Sequence, residues 1–179
     1  DFRENYQTDP VNLAETAGLY REIWGDRYYL DGVGNGSQRV ENLDWISLNT
    51  QVFSYKNRYP KADEQAQASL DWLAQRLQAA PGGCVLLLHI PPTVDLFNGL
   101  QAWRSEPLQR FWSVLTAHTG PVTILGGHFH RNEVHAFKRP QGEVCVLVTS
   151  SLSRKYGYSP NWRSNHWTLG DRGELIRAD

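Results

Sequence analysis

Residues 84–89 read Cys-Val-Leu-Leu-Leu-His, an apolar run with no polar alternation. A strand with one wet face alternates; an unbroken run must be covered on both faces, as interior strands of layered α/β folds are. Pro91-Pro92 forbids its continuation. A second such run, Val122 to Leu125, is closed by Gly126-Gly127. Helical periodicity precedes and separates the two. Gln65 to Ala79 carries Leu70, Leu73 and Leu77 on one face and stops at Pro81-Gly82-Gly83. Pro107 to His118 turns Leu108, Phe111, Trp112 and Leu115 inward.

The flanks complete a mixed pattern. Asp9-Pro10 reads as an N-cap and first helical residue, opening a helix from 10 to 24 with Leu13, Ala17, Tyr20 and Trp24 at helical spacing. Arg27 to Leu30 and Val40 to Leu48 are predicted strands around a turn marked by Gly32, Gly34 and Gly36. Tyr55 to Asp63 and Thr93 to Glu106 are predicted loops, the second containing Phe97 and Trp103. Two hairpins follow: Glu133 to Phe137 with Val144 to Thr149, and His166 to Leu169 with Glu174 to Ile176. The order is strand, helix, strand, helix, strand, then antiparallel hairpins, an α/β layer pattern with a mixed sheet. The 179 residues suit one domain.

A formal net charge of −1 supplies no basic face for phosphate backbones, so no nucleic-acid-binding patch is expected. No apolar run has the length of a membrane span. Asp1 to Tyr6 are polar and charged, which does not read as a signal peptide, and the absence of Met leads us to expect a processed or cut chain. Localisation, cytoplasmic or secreted, stays open. Cys84 and Cys145 each lie in an apolar run and read as small buried hydrophobes. Asn35-Gly36-Ser37 is a sequon that arises often by chance.

Chemistry concentrates where the two buried strands stop. One ends in Leu-Leu-Leu-His89-Ile-Pro-Pro, the other in Ile-Leu-Gly-Gly-His128-Phe-His130-Arg-Asn. Open α/β sheets bind ligands at the carboxyl ends of their strands. His128 and His130 are two apart and share a side in an extended loop. Neutral imidazole is the commonest protein ligand for zinc-like metals. A single histidine beside a strand is usually structural, and His-x-His alone is weak; two adjacent strand ends of this kind are a better pointer. His118, His135 and His166 read as structural. Asn49, at a strand end, is a substrate-contact candidate against the plainer reading of turn former. Arg131 and Asn132, and more weakly Arg154 and Lys155, are candidates to reach an anion. Phe97, Trp103 and Tyr156 are loop aromatics that line a pocket or simply pack.

His89-Ile-Pro-Pro followed by Gly127-His128-Phe129-His130 resembles the last two metal motifs, Gly-His and Gly-His-x-His, of the calcineurin-like metallophosphoesterases. Ile46-Ser47-Leu48-Asn49-Thr50, the helix around Leu70-Asp71-Trp72-Leu73, and the stretch from Thr149 to Pro160 are similar to acid sphingomyelinase-like phosphodiesterases, over residues 15 to 178. The resemblance implies half of a four-layer α/β/β/α sandwich, with the second sheet and its metal motifs supplied by an N-terminal half of the same fold. It implies a phosphoester substrate, a phosphodiester rather than a monoester, hydrolysed at two divalent metal ions (Zn, Mn or Fe) through a bridging hydroxide. His89 and His128 would bind one metal and His130 the other.

The family's Asp-x-His, Gly-Asp-x-x-Asp and Gly-Asn-His-Asp/Glu motifs have no match here, and Leu88 stands where the family has Gly. Three histidines do not hold two metals and a bridging nucleophile, so the expected partner is an N-terminal fragment, with Asp1 as the last acid of a cut motif. Sphingolipid head groups, nucleotides and cyclic nucleotides all fit as substrates. Two readings from other classes stand beside the enzyme: a non-catalytic binding module, and a domain holding one metal on its three histidines.

Overall fold

The computed structural model describes residues 8–24, 29–80, 82–150 and 167–178. Its frame is a mixed seven-stranded sheet carrying two long helices. Helix α1 (Pro10–Trp24) precedes the edge strands β1 (Tyr29–Leu30) and β2 (Gly36–Val40). Strand β3 (Leu43–Leu48) leads through a 3-10 turn (Thr50–Phe53) into α2 (Ala62–Ala79). Then follow β4 (Cys84–Leu88), α3 (Ser105–Ala117), β5 (Val122–Gly126), β6 (Glu133–Arg139) and β7 (Gly142–Val148). A separate two-stranded ribbon is formed by β8 (Trp167–Leu169) and β9 (Leu175–Ala178).

The sheet order is β1-β2-β3-β4-β5-β7-β6. Strands β3, β4, β5 and β7 are mutually parallel, while β1, β2 and β6 pair antiparallel at the edges. The unbroken apolar runs are the central strands, as double-sided burial requires. Alternate residues such as Ile46, Leu86, Ile124 and Val146 face the core under the helices, against Leu70, Leu73 and Leu77 of α2 and Phe111 and Leu115 of α3. On the opposite face Val85, Thr123 and Leu147 are buried, whereas Trp45, Leu87 and Leu125 are half-buried.

Most predicted elements appear within a residue or two of their bounds. Asp9 caps α1, its carboxylate accepting the N–H groups of Val11 (3.0 Å) and Asn12 (3.2 Å). Leu13 of the expected inner face is buried and Ala17 is half-buried. Two expectations need correction. The strand expected over Val40–Leu48 is broken at Glu41–Asn42 by a two-residue hairpin that pairs Val40 with Leu43, and Glu41 takes the left-handed φ of 55° that such a turn demands. Neither turn residue is a glycine, so the usual signal was absent. The glycine-punctuated turn also ends earlier than expected, because Gly36 already belongs to β2.

Asn35 is 0% exposed, which removes its sequon from glycosylation chemistry in the folded chain. Its amide instead donates to Asp31 (2.9 Å) and Ser69 (3.0 Å), and its carbonyl accepts the N–H of Asn49 (3.0 Å). One side chain thus ties the 31–35 turn to α2 and to the end of β3. Helix α3 ends without a glycine; Arg139, reaching in from the edge strand β6, caps its carbonyls at Leu115 (2.8 Å), His118 (2.6 Å) and Gly120. Both cysteines are free thiols, and Cys84 is pushed up to about 12 by burial. They lie on β4 and β7 with β5 between, two strand spacings or roughly 9.6 Å, beyond disulfide reach. No described helix is long and apolar enough to cross a membrane.

Phe111 is fully buried and meets the rings of Trp103 (5.1 Å) and Trp112 (5.4 Å) edge-on, fastening the loop before α3 to the sheet. Phe111→Ala is expected to lower unfolding free energy by about 3–5 kcal/mol, read as a drop in the urea midpoint; a loss under about 1 kcal/mol would refute this account of the packing.

Candidate metal-ligand site

The four parallel strands stop level with one another: Leu48 pairs with Leu88, Leu88 with Gly126, and Gly126 with Val148. Residues 49, 89, 127 and 149 therefore leave the sheet side by side. The loops they begin are stitched together by main-chain bonds. Gly127 N–H donates to the His89 carbonyl (3.1 Å), Thr149 N–H to the Gly126 carbonyl (3.0 Å), and Ile90 N–H to the Thr50 hydroxyl (2.9 Å). Gly126 makes a close approach here: a Cβ would stand 3.2 Å from the Pro91 ring, which would have to shift to admit it.

The 128–130 segment is not the extended loop expected from its sequence. His128 and His130 both adopt left-handed backbone, with φ of 69° and 58°, and Phe129 N–H folds back onto the Gly127 carbonyl at 2.8 Å. Phe129 is buried, so the tight turn drives its ring into the core while the histidines flank it. Left-handed backbone costs a residue with a side chain on the order of 1–2 kcal/mol, and strain of this kind accumulates at functional sites.

The turn brings His128 to His89. Their Nδ1 and Nε2 atoms stand 3.3 Å apart and the rings meet nearly edge-on, at 77°. Two nitrogens on one tetrahedral metal, at bond lengths of about 2.0–2.1 Å, are separated by about 3.3–3.4 Å, so the pair fits one edge of such a site. Both imidazoles are held neutral, the form that binds metals. Burial lowers the His89 pKa, with the charge of His130 adding to it. Burial, then His89, Lys56 and His130, bring His128 down to about 4, while Asp95 opposes.

His130 is near enough for its charge to act on both rings, yet among the described residues no group of three or more His, Cys, Asp or Glu side chains converges as a metal site. With both histidines left-handed, the alternation that puts residues two apart on one side does not apply here, since it holds for extended backbone only.

The other candidates divide. Asn49 is drawn into structure, as its turn-forming reading expects: its amide donates to the Val33 carbonyl (2.8 Å) and its oxygen caps the 3-10 turn at Gln51 N–H (3.2 Å). The Asn132 side-chain oxygen accepts the N–H of Ser150 (3.0 Å). Trp103 is core, its indole donating to the Ile90 carbonyl (3.1 Å). His118 is buried at the end of α3, and His135 contacts Glu133 at 2.9 Å; both fit their structural reading. Arg131 approaches Asp95 (3.4 Å) and lies over the Phe97 ring (3.7 Å). Tyr156, Arg154, Lys155, His166 and Asp1–Asn5 fall outside the described residues.

Sequence reasoning missed Asp95 and Lys56, whose charges act on His128. Lys56 carries no signal, being one cation in a polar loop. Asp95 did carry one: it is the sole carboxylate in residues 93–104, a loop otherwise rich in apolar side chains.

The protonation pattern has a sign. His89, His118 and His128 all fall below the ordinary imidazole value. As pH drops below about 6.5 the unfolded chain takes up protons that these folded histidines resist, His128 until about 4, so stability is lost over that window. In the presence of a chelator, the urea midpoint is expected to be clearly lower at pH 5 than at pH 7.5; an unchanged or higher midpoint at pH 5 contradicts the depressed pKa values.

The chain matches no protein-family model and no curated protein.

Proposed function

We propose that this chain is the C-terminal part of a metal-dependent phosphoesterase of the calcineurin-like kind, with His89 and His128 holding one divalent ion. The observation that carries the reading is the 3.3 Å spacing of two neutral imidazole nitrogens at the carboxyl ends of adjacent parallel strands. Its two loops are those whose residues resemble the family's last two metal motifs. His130 is assigned to a second ion, and the further ligands, a bridging carboxylate among them, come from an N-terminal half of the same fold. The half-buried face of Trp45, Leu87 and Leu125 suits the packing of that half as a second sheet in a four-layer sandwich.

Metal ions supply such a site with Lewis acidity and an activated water. The chain's own residues present neutral donors, hold them by glycine turns and main-chain bonds, and carry a cation, Arg131, on the same loop as His128. Phosphodiesters are the favoured substrates on the resemblance to sphingomyelinase-like enzymes.

Metal content measured after equilibrium dialysis against Zn or Mn tests the reading. Wild-type chain is expected to retain metal, and His128→Ala and His89→Ala each to weaken retention by more than the ~10–100-fold seen when an outer partner of a ligand is lost. Activity on a chromogenic phosphodiester should appear once the N-terminal half is supplied. One ion held without activity in the completed protein would favour a mononuclear domain, and no ion at all would favour a binding module.

A further inference from the structure

We infer that Arg131 is the side chain that binds the anionic oxygens of the substrate, and that Asp95 is its positioning residue. This inference rests on the phosphoester reading above. Asp95 is 6% exposed and is the sole carboxylate of its loop. It accepts the N–H of Phe97 (2.9 Å), which bends the loop back, and it approaches Arg131 Nη1 at 3.4 Å. The Phe97 ring then lies 3.7 Å from the guanidinium carbon, although Phe97 is 72% exposed. Glu133 holds the same loop from the other side, taking the N–H of Leu96 (3.2 Å). Two buried carboxylates thus fasten this loop onto the segment that carries His128 and His130.

An exposed aromatic ring is costly to keep in water unless it does something there. Here it stacks on a guanidinium and fixes the plane of its fork. The Asp95 contact is longer than the 2.7–2.9 Å usual for a charge-assisted bond, so Asp95 aims the group more than it neutralises it. A planar fork with five donors is matched to phosphate oxygens. Arg131 directly follows His130 in the chain, so its fork leaves the same loop that carries His128, one of the paired imidazoles.

The test uses the full chain, loaded with Zn or stripped by chelator, titrated calorimetrically with inorganic phosphate, with metal content and thermal midpoint measured alongside. Arg131→Met and Asp95→Asn are each expected to weaken phosphate binding about ten-fold or more while metal content is unchanged. The double variant should be no weaker than Arg131→Met alone, because Asp95 acts through Arg131. Arg131→Lys should recover only part of the affinity. Phosphate affinity unaltered in Arg131→Met, additive losses in the double variant, or no phosphate binding by wild-type chain in either state would overturn the inference. Arg131-dependent binding by a wild-type chain that holds no metal would uphold it and sink the metal reading instead.

Discussion

The parallel pairing of β3, β4, β5 and β7 determines nearly everything else in this molecule. Because the central strands stop in register, four loops are delivered to one edge of the sheet. Because the strands are parallel, each return must be made by a crossover, which puts α2 and α3 over the apolar face. The helices then bury that face, and the edge where the strands end together is left to carry polar chemistry. Shortening or slipping β4 by one residue would turn His89 to the other side of the sheet.

Around this frame, polar side chains do jobs that backbone signals usually do. Asn35 and Asn49 bind the first turn to the end of β3. Arg139 closes a helix that lacks a glycine terminator. Glu133 and Asp95 hold a loop whose surface is apolar at Leu96, Phe97 and Leu100. These contacts join residues far apart in the chain, which is why local patterning did not announce them.

What was legible beforehand follows the same division. Helical periodicity and buried apolar runs are local, and α1, α2, α3, β4 and β5 all appear where they were read. The Glu41–Asn42 hairpin was not legible, since its residues are poor advertisements for left-handed backbone. At the site, the sequence showed that two strand ends carry histidines, while the meeting of His89 and His128 needed both the β4–β5 pairing and the 128–130 turn. The left-handed turn at 128–130 was not legible, because it depends on two histidines, one on either side of Phe129, adopting a strained backbone so that Phe129 can reach the core. Asp95 stood out in the sequence only as a lone carboxylate, and its burial and its contacts with Phe97 and Arg131 needed the fold.

The two facing imidazoles are separated by 39 residues, with α3 and a full crossover between them. No fragment short of β4 through the 128–130 turn contains both, and the unfolded chain has no reason to hold them together. Their encounter therefore belongs to the late, topologically slow part of folding, when non-local parallel strands have already paired. An ion captured by that pair would select the finished sheet over every earlier species, so its binding energy would register as resistance to unfolding.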